Sequence, residues 1–497
     1  MIVDLASSEE YAQDGYRMIQ AVTSRRLGRA VNAKRVLRVM RKHGVIQRRR
    51  VEPRPKRPGY FVVRRPDELW HTARTAPVSS QRHRPDTLGG LLHECGTVAA
   101  WRIELSVPFR GSTPDMRPEN RRSFVTTLRD RKDVEDFLMG ANFMSASGGG
   151  DPAIERGLLY EDLDQGLELG WNPLDETSDA LFCTACFSGS IAPEAFEEPP
   201  EAKVLAPAGK LHRPLVEAVL ELQNYLGKPI GGLVSIEIGA SNTGSILDVA
   251  ANLRLPLVDG DYAGRAIPEL HATVLHLFGV DVLPQALVDE YGNRLIMRAA
   301  VSDAFNERLG KFLALASFGS ICVALAALPA KEVASIYVPG TLTECLELGR
   351  AIRLAREEDV DPVGAAAEAI GGWALFRGTI ARREWTNTGY MEGTEEIAGE
   401  GEFAGRSLRI WFKNENHVTW LDERPYVCSP DLIEVCDAET AEPLVNTFLK
   451  EGDRVAVVGG RRRDAYDSEA GLAALGPRHF GWDLDFTPIE TLVAAGD

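Results

Sequence analysis

The feature that most constrains the fold is a change of element type between Leu233 and Phe278. The run "LVSIEIGASNTGSILDVAANLRLPLVD" is continuously apolar at first, turns to helical spacing, then becomes apolar again. It predicts a strand at Leu233–Ile238, a helix at Gly244–Arg254, a strand at Leu255–Asp259 and a helix over Ala266–Phe278. Strand and helix at this spacing demand a parallel sheet covered on both faces. Upstream, the pattern predicts a helix over Asp133–Ala141, a strand at Leu181–Phe187 and a helix from Pro214 to Tyr225. Residues 303–330 and 341–372 read as helical. Phe312 to Ala330 is 19 residues without a charge. Its alanine, Ser317, Gly319, Ser320 and Pro329 suit a buried helix better than a bilayer span.

From Trp373 the period shifts toward two. Strands are expected at Ala374–Arg382, Ser407–Phe412, His417–Leu421, Asp431–Asp437 and Arg454–Val458, the spacing of a small barrel or sandwich. The expected fold class is α/β. A three-layer α/β domain with a largely parallel sheet (residues 123–372) is followed by a β-rich, barrel-like C-terminal domain (373–497). Residues 76–122, with "VSSQRHRPDTLGG" and "PFRGSTPDMRPENRR", read as an irregular linker.

Charge divides the chain more sharply than hydropathy does. Residues 1–65 carry 17 Lys/Arg against 5 Asp/Glu, while the whole chain is −16, so the remainder is −28. A basic head fits nucleic acid; an acidic body does not. The stretch "VNAKRVLRVMRKHG" sets Val36, Val39 and Met40 on one helical face and Lys34, Arg35, Arg38, Arg41 and Lys42 around the other, after a first helix over 10–27. With "PDELWHT" at 66–72, the head resembles the helix-turn-helix and the entry to the catalytic core of insertion-sequence transposases. The first catalytic aspartate of that family corresponds here to Ala73. Alanine cannot ligate the ions that cut DNA, and no later stretch resembles the rest of that core. Residues 1–75 are therefore expected to be a remnant, with weak nucleic-acid binding at most.

Seven cysteines with no framework spacing point to reduced thiols in the cytoplasm. Cys183 and Cys186 form one isolated C-x-x-C in an apolar run, the pattern of buried thiols rather than of zinc. No signal-peptide pattern opens the chain.

In an open α/β sheet, ligands gather beyond the carboxyl ends of the strands. Glu237 falls at one such end, and Asp259 and Asp261 at the next. Two carboxylates at i and i+2 could hold a divalent cation, or divide acid and base roles between them. The sequence names no cofactor; Asp259 and Asp261 are where a metal would bind if one does. Arg265, Glu269 and His271 follow closely. Gly148, Gly149 and Gly150 could present backbone N–H groups to an anion or a carbonyl. Asn242, Asn414 and Asn416 offer amides, although the last two could equally close a hairpin. His479 reads as a loop or core histidine. The plainer alternative is that Asp261 caps a helix and Arg265 neutralises the carboxylates.

The blocks "DVEDFLMGANFMSASGGGDP", "EIGASNTGSILDVAANLRLPLVDGDYAGRAIPELH", "LRIWFKNENHVTW", "CSPDLIEVCDAETAEPL" and "GPRHFGWDLDFTPIE" occur in that order within residues 124–497. They resemble the S-methyl thiohydantoin desulfurase family, also described as hydantoinase/oxoprolinase-like. The resemblance implies an α/β domain followed by a β-rich domain. It also implies a hydrolase acting on a five-membered cyclic amide or thio-imidate. On that reading Asp261 is the base, Asp259 and Glu237 tune it, and His271 is an acid. Arg265, Glu269, Asn242, Asn414, Asn416 and Gly148–Gly150 would hold the substrate. The rival readings are a non-catalytic ligand-binding subunit of such a system and a DNA-binding remnant. No G-x-S-x-G or H-E-x-x-H motif decides among them. The expected partner is a small cyclic amide, with no membrane, and homo-oligomerisation is left open.

Overall fold

The computed structural model describes residues 31–42, 125–192, 199–206 and 209–494, with Ile2, Ile19, Thr23 and Ser24 besides. The chain divides into two compact units, Met1–Gly111 and Ser112–Asp497. In the first, Ala33–Lys42 is helical; Val36 and Met40 are buried and the five basic side chains are exposed, as the periodicity requires. Most of the expected helix over 10–27, "PDELWHT", Ala73 and the linker over 76–122 lie outside the described residues.

The second unit opens with a short antiparallel pair, β1 (Thr126–Leu128) and β2 (Leu169–Trp171). Its first large sheet contains β3 (Leu181–Gly189), β4 (Ile230–Ser235), β5 (Leu257–Asp261), β6 (Gln285–Val288), β7 (Arg294–Met297), β8 (Ser320–Pro329) and β9 (Val338–Pro339). The strand order is β7-β6-β8-β3-β4-β5-β9. Only β3–β4 and β4–β5 run parallel; the outer pairs are antiparallel. The largely parallel sheet expected from the βαβ run therefore holds at its centre alone. A hairpin, β6–β7, and the returning β8 complete one flank, and β9 closes the other.

Successive residues of the central strands feed opposite cores. Cys183, Leu233, Leu257 and Ala324 enter one cluster; Phe182, Val234, Val258 and Val323 enter the other. That alternation is the mark of a sheet buried on both faces. On the first face, helices Arg131–Phe143 and Thr341–Glu357 cross at backbone contact. A Cβ added to Gly140 would lie 1.7 Å from the Cys345 carbonyl oxygen, and one added to Gly349 would lie 1.7 Å from that of Asp136. Arg353 and Arg350 tie the same pair to Asp136 and Asp133 at 2.7 Å each.

Two expected helices differ. Residues 303–330 are a helix only to Ala316; Phe318 (φ 65°) and Gly319 (φ 138°) break it, and the apolar remainder is β8. A strand covered on both faces and a buried helix look alike in hydropathy. The run Ala266–Phe278 is not one helix but loop broken by a 3-10 turn at Leu270–Ala272 and one short helix, Val274–Leu277. Pro268 disfavours helix at Ile267, and Thr273 caps the short helix by accepting from the His276 N–H. No described helix is long and apolar enough to cross a membrane.

The second large sheet is antiparallel and curls into a half-barrel. It contains β10 (Trp373–Asn387), β11 (Met391–Gly399), β12 (Ser407–Lys413), β13 (Glu415–Leu421), β14 (Arg424–Cys428), β15 (Leu432–Asp437) and β16 (Arg454–Gly460), in the order β14-β13-β12-β11-β10-β16-β15. Phe376, Ile397, Ile410, Val435 and Val457 build its core. Its other face joins the helical layer through Leu432, Cys436, Ala456 and Val458.

Candidate functional site

A cavity of about 720 Å³ opens beside the carboxyl end of β4. Glu237 lies just past that strand, on its wall. Asn242 donates to one of its oxygens at 2.6 Å, and the Ile267 N–H donates to the other at 2.8 Å. The Asn242 Oδ1 accepts from Phe187 N at 2.8 Å, so this amide locks Glu237 to β3. The helix Ala240–Leu253 begins here, and its positive end faces the cavity through Ser241 and Asn242.

Gly148, Gly149 and Gly150 line the same cavity. Gly148 is required because a Cβ there would meet Glu415 Oε1 at 2.3 Å. Among the described residues the Gly149 and Gly150 N–H groups have no hydrogen-bond partner. Glu155, also on the wall, receives the hydroxyls of Ser241 and Ser245; burial lifts its carboxyl to about 7.

Glu415 begins β13 and is 3% exposed; among the described residues its Oε2 has no hydrogen-bond partner. Burial first, and then the charge of Glu237, hold it well above the usual carboxylate range, with Arg265 and Lys311 acting against them. Burial likewise raises Glu237, opposed by its two donors and by Lys311. Lys311 donates to the Gly189 carbonyl at 2.6 Å and sits 3.7 Å from Glu307. Glu307 also accepts from the Leu270 N–H at 3.2 Å, which ties helix Asp303–Ala316 to the 3-10 turn.

Several expected residues sit elsewhere. Asp259 does not line the cavity: it caps helix Thr341–Glu357, accepting from Leu342 N, Thr343 N and the Thr343 hydroxyl. Asp261 is the last residue of β5, pairs there with β9, and accepts from Ala263 N and Gly264 N. Burial lifts it to about 7 against those two donors. The two aspartates therefore serve different partners, and no shared cation site forms between them. The strand extends to Asp261 rather than stopping at Asp259; Asp259 is engaged at the helix end, while Asp261 is buried and its Oδ1 has no hydrogen-bond partner among the described residues. Arg265 is buried, and burial lowers its pKa. It spends its donors on the carbonyls of Ala266, Pro430, Asp431 and Asn416. Asn416 is wholly buried; its side chain donates to Ile433 O and accepts from Asn446. Asn414, at φ 58°, closes the β12–β13 turn and accepts from Met391 N, while still reaching the cavity. Cys183 and Cys186 lie on β3 three residues apart, so they face opposite sides; Cys183 is buried in the first core and Cys186 lines the cavity.

Glu269 lines the cavity, and His271 adjoins it in space together with His479. Lys413 donates to Glu269 Oε1 at 2.5 Å; this bond and those from the two histidines hold the carboxyl far below its usual range despite burial. Glu415, Glu155, Glu307 and Lys311 were not legible in the sequence. Glu415 stands between the two asparagines of "NEN", and Glu307 and Lys311 form an ordinary i, i+4 helical pair.

Two family signatures match the chain: S-Me-THD-like, N-terminal domain, at residues 132–299, and S-Me-THD-like, C-terminal domain, at 301–489. The chain belongs to the S-Me-THD-like family. The junction of these signatures precedes the 372/373 boundary read from the change of period. β8 and β9 thus fall in the C-terminal S-Me-THD-like signature while pairing into the first sheet. A structural-genomics protein from Chromobacterium violaceum is similar in fold, at 22% identity and a TM-score of 0.58, over 73% of this chain and 100% of that one. No curated protein matches.

Proposed function

We propose that this S-Me-THD-like chain hydrolyses a five-membered cyclic thio-imidate or amide of the S-methyl thiohydantoin or hydantoin type. The observation that carries this reading is the unequal carboxylate pair, Glu237 and Glu415, at the wall of a cavity large enough for such a ring. Burial raises both, and the charge of Glu237 raises Glu415 further, so the two are set apart as a base and an acid. Glu237, with two donors and Lys311 nearby, is the ionised member and takes the proton of water. Glu415, whose Oε2 has no hydrogen-bond partner among the described residues and lies 3.9 Å from His417 Nε2, keeps its proton and gives it to the departing group. For an S-methyl ring, the carbon–oxygen bond forms as the carbon–sulfur bond breaks. Methanethiol leaves with the proton from Glu415, the second proton of the water passes to the ring nitrogen, a ring carbonyl remains, and the proton held by Glu237 returns to Glu415. The Gly149 and Gly150 N–H groups and the end of helix Ala240–Leu253 suit a ring carbonyl oxygen, or the oxyanion that develops on it when an amide ring is attacked.

The test is to offer purified protein S-methyl thiohydantoins, hydantoins and oxoproline and to measure thiol release and ring opening. Turnover of an S-methyl ring that Glu237→Gln reduces by about 100-fold or more supports the reading. Tight binding without turnover would instead make the chain a ligand-binding subunit.

A further inference from the structure

The residues that converge as metal ligands are not the aspartates of β5. Glu269 Oε2 lies 3.0 Å from His271 Nε2 and 2.9 Å from His479 Nε2, and the two ring nitrogens are 3.1 Å apart. Hydrogen bonding alone serves such a triangle poorly. Each N–H can point along one edge only, and if both rings donate to the carboxylate, their two N–H dipoles lie side by side. An ion about 2.1 Å from each of three ligands at right angles, as on one face of an octahedron, separates those ligands by about 3.0 Å. The observed edges match that facial arrangement.

The three side chains are also held in place from outside. Lys413 fixes the other oxygen of Glu269 at 2.5 Å. The turn carrying His271 is anchored by the Tyr466 hydroxyl, which donates to Ala272 O at 2.7 Å. His479 lies edge-on to Phe480, with ring centroids 4.8 Å apart. The side chains are 12–20% exposed, so an ion can enter.

We propose that Glu269, His271 and His479 form a binding site for one first-row transition dication. Two imidazoles and one carboxylate suit such ions and disfavour magnesium and calcium. Glu269 belongs to the wall of the cavity, so the ion sits at its edge.

The test uses the full chain, stripped with chelator and titrated without substrate, so its outcome is separate from that of the hydrolase reading. Calorimetry with Zn²⁺ is expected to give one ion per chain, and Co²⁺ is expected to produce a visible d–d band in the unmutated protein. His271→Ala and His479→Ala should each weaken Zn²⁺ on the order of 100-fold or more. His276→Ala, beside the triangle but outside it, should leave affinity unchanged. Absence of the Co²⁺ band, Zn²⁺ affinity unaltered in both histidine variants, or Mg²⁺ binding as tight as Zn²⁺ would each overturn the assignment.

Discussion

At the scale of single residues, the pair Glu237 and Glu415 makes opposite demands on pH. Turnover needs Glu237 ionised, so activity falls as pH drops through its raised pKa. It needs Glu415 protonated, so activity falls again as pH rises through that higher value. Glu415→Gln, which has no proton to give, should turn over slowly and lose the alkaline limb, as a pH–rate profile will show. Glu155 gives a stability signal of known sign. Its folded pKa, about 7, exceeds its unfolded value, so its contribution is fully present below pH 4.5 and is lost as pH rises through 7. Glu155→Gln keeps an acceptor for Ser241 and Ser245. It should match the parent below pH 4.5 and exceed it by up to about 3 kcal/mol at pH 8 in denaturant unfolding. A variant that tracks the parent at every pH would refute this.

At the scale of elements, the crossing of Arg131–Phe143 on Thr341–Glu357 is the tightest constraint in the helical layer. The obstructing atoms are backbone carbonyls, which cannot swing aside as a side chain can. Gly349→Ala should therefore cost about 3 kcal/mol in chemical denaturation although alanine favours helix. A loss below about 0.5 kcal/mol would mean that the helices can part freely. The elements misread from sequence fail for one physical reason, the shortness of the local window. β8 and a buried helix share an apolar composition, β6 and β7 are only four residues each, and β11 is too polar to stand out. Their partners, not their own residues, make them strands.

At the scale of the whole molecule, Ser112–Asp497 is a compact unit containing both family signatures and every residue of the cavity. A chain beginning at Ser112 should keep the turnover and the melting temperature of the full-length protein within error. A drop in kcat/KM of more than about tenfold, equivalent to about 1.4 kcal/mol, would give the basic head a part in the chemistry.

The amino-acid sequence by itself determined the central βαβ run, the β-rich C-terminal region, the family, and the grouping of Glu237, Asn242, Glu269 and the glycine loop, which line one cavity. These follow from periodicity and strand-end position, which are local properties. Tertiary structure alone decided which carboxylates share a site. β9 pairs across β5 and buries Asp261, and the amino end of Thr341–Glu357 claims Asp259. The turn at Asn414 brings Glu415 against Gly148, 267 residues earlier in the chain. The turn at Pro477–Trp482 brings His479 beside Glu269 and His271. Such pairings depend on how distant segments pack, and no local pattern encodes them.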